Sequence, residues 1–217
     1  MIATLPLLAR LAWPGALFTR LHALPWYGDL LRHWALAGVE PGQQLLEMGC
    51  AGGDLAADLV AAGAKVVAVE HSHRAAWRAQ RHARGACIVR GDALSAEVPL
   101  DTFDVVLAAS LLNVVPDPVR LLVRMGAHAR PGGVVRVLVP DQAFDDAALQ
   151  RLADHLDLPR HGTSRAALNL WHRAARKMSE ATLRTALAQA GLQPVRVSRE
   201  LQGMVLCADA RRPGGRC

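Results

Sequence analysis

The sequence predicts an α/β fold, a three-layer sandwich in which helices cover both faces of a seven-stranded, mostly parallel sheet with an antiparallel last strand. From residue 44 onwards, short apolar runs alternate with longer stretches of helical periodicity, which is the pattern of βα units and a parallel sheet. The apolar runs are rich in Val, Leu and Ile without clean alternation, as expected of strands that are covered on both faces.

The βα part of the chain supplies the first five strands and three of the helices. The strands are predicted at 44–49, 65–70, 86–90, 103–109 and 134–139, and the helices at 55–62, 73–84 and 118–130. Pro131, Gly132 and Gly133 predict a sharp turn between the last of these helices and the fifth strand, because proline cannot continue a helix and glycine permits a reversal.

The C-terminal part predicts a helical insertion, one more helix and a hairpin. Residues 141–178 show helical periodicity and are interpreted as an inserted helical cap. Ser179 is a suitable N-cap for the next helix, which Gly191 would close as a left-handed C-cap. The sheet would end in an edge hairpin with strands at 194–199 and 203–210, followed by a flexible tail at 211–217.

The first 40 residues are interpreted as an N-terminal helical lid segment that precedes a main domain at 41–210. They hold Trp13, Trp26, Trp34 and Tyr27 among many leucines. Arginines and prolines interrupt this stretch well before the roughly 20 apolar residues that a membrane-spanning helix requires. We expect a pair of amphipathic helices packed on the core, and peripheral membrane contact through this segment is the alternative.

The composition is that of one globular domain, with 217 residues, 52% of them hydrophobic and 20% charged. The four cysteines match no zinc or disulfide spacing, so no metal is expected and a reducing cytoplasm fits. The net charge of +6 comes almost wholly from arginines spread along the chain, and this does not favour a nucleic-acid substrate. The basic balance slightly favours an anionic acceptor, and the oligomeric state is not predicted.

The strongest local signal is LLEMGCAGGDLAADL at 45–59, where an apolar strand turns through Gly49, Gly52 and Gly53 into a helix. Glycines suit such a turn because a Cβ would keep the backbone from a bound ligand. The next strand ends at Glu70, 17 residues after Gly53, where a carboxylate is suited to accept hydrogen bonds from ribose hydroxyls. Alone, this turn could hold NAD, FAD or nothing.

Five runs along the chain carry a family resemblance. EMGCAGG, VVAVEHS, VRGDAL, FDVVLAASLLNVV and PGGVVRVLV, in this order and spacing, resemble the motifs of class I, Rossmann-like S-adenosylmethionine-dependent methyltransferases. The resemblance is close over residues 44–140 and looser over KMSEATLRTALAQAGLQPVRV. It implies S-adenosylmethionine as the cofactor and methyl transfer as the activity.

The resemblance implies roles for the residues of the glycine-rich turn. Glu47 and Gly49 would lie beside the methionine part of the cofactor. Gly49 and Gly53 match the first and third glycines of the family's ExGxGxG pattern, and Ala51 stands at the second. This departure is mild, because alanine has the smallest side chain after glycine. Cys50 belongs to the same candidate set.

The later motifs supply the rest of the implied cofactor site. Glu70 matches the acid that binds the ribose, and Asp92 with Ala93 matches the pair that flanks the adenine. Ser110 and Leu111 match the strand end that runs under the methionine and the sulfonium. Two further residues complete the candidate set. His71 would lie beside the adenosine edge, and Tyr27 belongs to a segment that can fold over the cofactor.

Candidate catalytic residues on the acceptor side are Asn113, Asp141, His161 and His172. Each has a structural alternative: Asn113 and Asp141 as helix caps, the histidines as exposed residues. A methyl group on a sulfonium is already activated, so transfer mainly requires the acceptor to be held in place, and a base is needed only where the acceptor loses a proton.

The leading hypothesis is S-adenosylmethionine-dependent methyl transfer to a small or medium-sized organic acceptor. The sequence NVVP at 113–116 differs from the NPPY type that similar enzymes use on amine nitrogens. The alternatives are other sulfonium chemistry, namely intramolecular cyclisation or transfer of another group, methylation of RNA or a lipid quinone, and a non-catalytic member of the fold.

Overall fold

The computed structural model describes residues 14–160 and 162–214 and shows one seven-stranded sheet with the strand order β3-β2-β1-β4-β5-β7-β6. In chain order the strands are β1 Gln44–Met48, β2 Lys65–Glu70, β3 Cys87–Arg90, β4 Phe103–Ala109, β5 Ala129–Pro140, β6 Gln193–Glu200 and β7 Val205–Arg211. β1 to β5 pair in parallel, and β7 runs antiparallel to both β5 and β6. The predicted fold class is confirmed.

The described helices follow the predicted rhythm. They are α1 Pro14–His22, α2 Pro25–Leu36, α3 Asp54–Ala61, α4 His73–His82, α5 Pro118–His128, α6 Asp146–His155, α7 Thr163–Ala174 and α8 Glu180–Gln189. Ser179 Oγ accepts a hydrogen bond from Thr182 N at 3.0 Å, and Gly191 adopts a φ of +71°, so both predicted caps of α8 are confirmed. Among the described residues, no helix is long and apolar enough to cross a bilayer.

The core is split by the sheet into two apolar clusters. Neighbouring residues of β1 point to opposite faces, so that Leu45 joins one cluster and Leu46 the other. The first cluster contains buried residues of α1, α2, α3, α6 and α7, whereas the second contains those of α5 and α8. The N-terminal helices therefore share a layer with α3 and with the pair α6 and α7.

The link between α5 and β5 differs from the prediction. The helix ends at His128, two residues early, and pairing with β4 begins at once through Ala129 and Phe103. The register then jumps from that pair to Val134 opposite Val105, so three extra residues bulge out of the strand. The predicted turn at Pro131–Gly133 is therefore a bulge inside β5, where Gly132 has a φ of +77°.

The start of the predicted tail is ordered, and parts of both chain ends lie outside the described residues. Arg211 ends β7, and Arg212 N donates to Gly133 O at 3.0 Å, so a flexible tail cannot begin at residue 211. Residues 1–13, with Trp13, and residues 215–217 lie outside the described part of the chain.

The fold also determines where a ligand could bind. The chain builds the sheet outward from β1 to β3 and then crosses back to place β4 on the other side of β1. In open α/β sheets, ligands bind in the crevice at the carboxyl ends of the strands where the order reverses in this way. The crevice above β1 and β4 is therefore the expected site.

Candidate active site

A cleft of about 650 Å³ lies at this reversal point. Its walls come from the carboxyl ends of β1, β2 and β4, from the turn after β3, and from α1 and α2. Eleven of the twelve residues that the sequence indicated for cofactor binding line it: Tyr27, Glu47, Gly49, Cys50, Ala51, Glu70, His71, Asp92, Ala93, Ser110 and Leu111. The contacts of these residues with a cofactor stay a prediction.

The twelfth residue, Gly53, serves packing. A Cβ on Gly53 would lie 2.8 Å from the Cα of Ala79 in α4, and the residue has a φ of +81°. Both the space and the backbone conformation therefore require glycine. Ala51 has a positive φ as well, +47°, so it adopts the left-handed conformation although it is not glycine.

Glu70 is held at the end of β2 by backbone amides from both sides of the cleft. Its Oε2 accepts from Ala51 N at 2.9 Å and its Oε1 accepts from Ser72 N at 2.8 Å. The residue is only 7% exposed. A carboxylate has about four acceptor positions, so these two bonds orient Glu70 and leave capacity for further donors. The imidazole of His71 lies 3.2 Å from Oε1 and is exposed.

Glu47, at the carboxyl end of β1, is buried without a counter-charge. It is 3% exposed, and its Oε2 has no hydrogen-bond partner among the described residues. Burial raises the pKa of Glu47 to about 8, with further contributions from the carboxylates of Asp54, Glu70 and Asp58. A cationic ligand group beside Glu47 would supply the missing partner.

The end of β4 shows a second unsatisfied group. Ser110 has a φ of +54°, a strained conformation of the kind found at functional sites, and its buried Oγ has no partner with full hydrogen-bond geometry among the described residues. Tyr27 of α2 is buried beside it. Burial raises the pKa of Tyr27 to about 12, and the Ser110 hydroxyl offsets part of that rise.

The remaining cofactor candidates differ in exposure. Asp92 is exposed, and its Oδ1 accepts from Leu94 N at 2.7 Å, which fixes the turn after β3. Cys50 is buried in the glycine-rich turn, and burial raises the pKa of its thiol far above the usual range. The Cys50 sulfur is therefore neutral at physiological pH.

The three acceptor-side candidates that the structure describes lie outside the cleft lining. Asp141 is 1% exposed, and its carboxylate accepts from Arg199 Nε at 2.8 Å and from Ala143 N at 3.1 Å, so it organises the end of β5. The ring of His172 packs on Phe144 with 4.9 Å between centroids. Asn113 is buried outside the lining and its Oδ1 has no partner among the described residues.

His161 lies outside the described residues. Within the described part of the chain, no cluster of three or more His, Cys, Asp or Glu side chains is arranged to hold a metal ion.

The sequence predicted an N-terminal lid and Tyr27, but it did not indicate the other residues with which α1 and α2 line the cleft. Phe18, His22 and Leu31 line the cleft together with Tyr27. His22 Nε2 lies 3.0 Å from Asp58 Oδ2 of α3, a contact between residues 36 positions apart. No local pattern marks such a pair, because it depends on how α1 packs against α3.

Comparisons with known proteins agree with this geometry. A family model described as a methyltransferase domain matches residues 26–197. A ubiquinone biosynthesis O-methyltransferase from Bordetella pertussis is 33% identical over 130 residues, which cover 56% of this chain and 52% of that protein. The chain spans about half the length of the curated relatives that it matches.

Solved structures share the fold. An S-adenosylmethionine-dependent methyltransferase from Mesorhizobium loti superposes with a TM-score of 0.64 at 19% identity, covering 88% of this chain and 100% of that one. Magnesium protoporphyrin IX methyltransferase from Synechocystis PCC 6803, solved with bound S-adenosylhomocysteine (SAH), gives 0.60 at 18% identity, covering 92% and 84%. The family match over most of the chain and this shared fold lead to one conclusion: the chain belongs to the methyltransferase-domain family of class I S-adenosylmethionine-dependent enzymes.

Proposed function

We propose that the chain transfers a methyl group from S-adenosylmethionine to a small or medium-sized organic acceptor. The observation that carries this proposal is the Glu70 carboxylate, buried at the cleft and oriented by Ala51 N and Ser72 N. The two backbone amides hold the Glu70 carboxylate in place before any ligand binds. A carboxylate held in this way is suited to accept hydrogen bonds from a pair of ribose hydroxyls.

The other cleft residues fit the remaining parts of the same molecule. Glu47 is an unpaired buried acid that would hold the cationic methionine end, and the Ser110 Oγ is a buried polar atom beside Tyr27 at the same edge of the sheet. Asp92 would accept from the adenine amino group. The bound sulfonium supplies an activated methyl group, and the task of the protein is to position the acceptor and exclude water.

The lining supports a neutral, largely apolar acceptor rather than an anionic one. Among the described lining residues there is no Arg or Lys, so the basic charge of the chain lies elsewhere. Leu111, Val114, Val115 and Pro116 form an apolar stretch beyond Ser110. The curated relatives are named O-methyltransferases, which supports oxygen as the acceptor atom.

We also propose that α1 and α2 form the lid over the cleft. Phe18, His22, Tyr27 and Leu31 of these helices line it, whereas no described residue of 141–178 does. The Tyr27 ring packs edge-on against Trp171 of α7 with 5.1 Å between centroids. In this proposal, the helices α6 and α7 act as a support behind the lid rather than as its inner face.

The test is SAH binding, measured by isothermal titration calorimetry. We expect Glu70→Ala to weaken SAH binding by at least about 10- to 100-fold, because the loss of even one hydrogen bond to a charged group costs about 1.5–3 kcal/mol. The control is Glu97→Ala, which removes an exposed carboxylate outside the cleft lining and should leave the affinity unchanged. Wild-type protein that binds neither S-adenosylmethionine nor SAH would refute the proposal.

A further inference from the structure

We propose that His22, oriented by Asp58, is the general base that takes the proton from a hydroxyl acceptor bound in the cleft. The inference rests on the proposed methyl transfer and assigns it a catalytic residue. His22 is the last residue of α1 and lines the same cleft as Gly49 and Ser110. Its side chain is 12% exposed, which leaves it largely shielded from bulk water yet open to the cleft.

The contact with Asp58 determines which ring nitrogen is basic. The 3.0 Å contact joins His22 Nε2 to Asp58 Oδ2, and a carboxylate can only accept, so Nε2 carries the proton. In the neutral ring the lone pair is then on Nδ1. An aspartate that fixes the tautomer of a histidine in this way is the arrangement used by catalytic histidine bases.

Two features of α2 hold this pair in place. Arg32 Nη1 lies 3.6 Å from the same Asp58 oxygen and balances its charge. A Cβ on Gly28 would lie 2.3 Å from the His22 carbonyl oxygen, so only glycine lets α2 pass this close to the end of α1. The backbone of His22 and the carboxylate of its partner are therefore both fixed by neighbouring helices.

The other titratable groups of the described lining are less suited to the role. Asp92 is exposed in the turn proposed to flank the adenine, and burial raises the pKa of the Tyr27 phenol to about 12, which keeps it protonated. Glu70 is occupied by two amides, and the carboxylate of Asp54 lies 3.4 Å from both Arg78 and His82. His71 is exposed beside Glu70 at the expected ribose position. Glu47 and Cys50 lie in the glycine-rich turn that the cofactor is proposed to occupy.

The chemical step balances without a further reactant. The acceptor oxygen forms a bond to the methyl carbon of the sulfonium donor, the carbon–sulfur bond breaks, and its electron pair stays on sulfur. The hydroxyl proton moves to Nδ1 of His22. The resulting imidazolium is stabilised by the Asp58 carboxylate. The positive charge therefore forms next to a negative charge that is already in contact with the ring.

The kinetic test uses catechol and a panel of simple phenols as acceptors with radiolabelled S-adenosylmethionine. We expect His22→Gln to lower kcat by about 100-fold or more, since general base catalysis contributes 10²–10⁴-fold. The KM for the acceptor and the Kd for SAH should stay within about threefold of wild type, because the lost interaction acts in the transition state. His33→Gln, which changes an exposed histidine of α2 outside this cleft, is the control.

A second readout does not depend on turnover. Nitrogen-15 NMR of the SAH-bound protein should show His22 with a protonated Nε2 and an unprotonated Nδ1, and Asp58→Asn should abolish this tautomer preference. The inference is overturned by a His22→Gln enzyme with near wild-type kcat, by a variant whose main defect is loss of SAH binding, or by the opposite tautomer. A wild-type enzyme that binds SAH but methylates none of the phenols also overturns it and leaves the proposed function standing. Absence of SAH binding by the wild type would refute the proposed function itself.

Discussion

At the scale of single residues, Glu47 has the environment that we expect of a side chain awaiting a charged ligand. Its carboxyl group is buried, its Oε2 has no partner among the described residues, and three further carboxylates surround it. Without a ligand, the group keeps its proton well above the usual range, because ionisation would place a bare charge in a poorly solvated site.

This arrangement predicts a pH-dependent stability for the ligand-free protein. The pKa of Glu47 is raised from 4.5 to about 8 in the folded protein. Between these two pH values the folded state therefore keeps a proton that the unfolded chain has released. The resulting stabilisation is fully present below about pH 4.5 and is lost as the pH rises through about 8. In Glu47→Gln this contribution is absent. The free energy of unfolding of wild type should therefore fall relative to the variant between these values, by about 1.4 kcal/mol per unit of pKa shift.

Urea unfolding of both proteins from pH 5 to pH 9 measures this difference. The profile of Glu47→Gln should be flatter than that of wild type, and the variant should be the more stable protein at the alkaline end. Parallel profiles would show that Glu47 ionises freely and that the site is not prepared for a cation. The residue itself could be picked out from the sequence by its motif, whereas its isolation from a counter-charge is a property of the folded packing.

At the scale of elements, the helix α2 is joined to the sheet by one buried arginine. Arg136 of β5 is 5% exposed, and its guanidinium donates to the carbonyls of Trp34, Ala35 and Ala37 at 2.9 Å each. It also donates to the carboxylate of Asp209 in β7 at 2.8 and 3.2 Å. These bonds satisfy the free carbonyls at the end of α2 and place a positive charge at the negative end of its dipole.

We therefore predict a large loss of stability for Arg136→Met. The substitution keeps an unbranched side chain in place of the aliphatic stem but leaves several carbonyls and Asp209 without their donor, which should cost about 3–5 kcal/mol. The control is Arg130→Met on the same strand, which breaks an exposed pair with Asp104 and should cost about 0–1 kcal/mol. Urea unfolding measures both variants, and equal small losses would contradict the assigned role of Arg136.

The elements also differ in how well the sequence predicts them. β2 and β4 have the predicted bounds, because their apolar runs and flanking turns are local signals. The prediction for the link after α5 was wrong. A proline and two glycines are typical of a turn, but β5 pairs with β4 on both sides of them. The role of Arg136 could not be predicted, since its partners lie about 100 positions earlier in the chain.

At the scale of the whole molecule, the two halves of the cleft differ in how far the sequence determines them. The cofactor half is built from turns that directly follow strands, so the order of motifs along the chain already indicates their meeting place. The half that we propose for the acceptor depends on how α1 and α2 pack on α3 and α7, and no periodicity in the sequence encodes that packing. Consequently the sequence did not indicate His22 and Phe18 as cleft residues. Asp141, which follows a strand and was a catalytic candidate, instead accepts a hydrogen bond from Arg199.

The central claim is that this cleft holds a sulfonium nucleoside whose sugar is bound by Glu70. A crystal structure of the protein with SAH tests it most directly. Both ribose hydroxyls should lie within hydrogen-bond distance of the Glu70 carboxylate, with the amino acid end beside Glu47 and Ser110. A nucleoside found elsewhere on the protein, or a cleft that is filled by the protein's own side chains at saturating SAH, would contradict it.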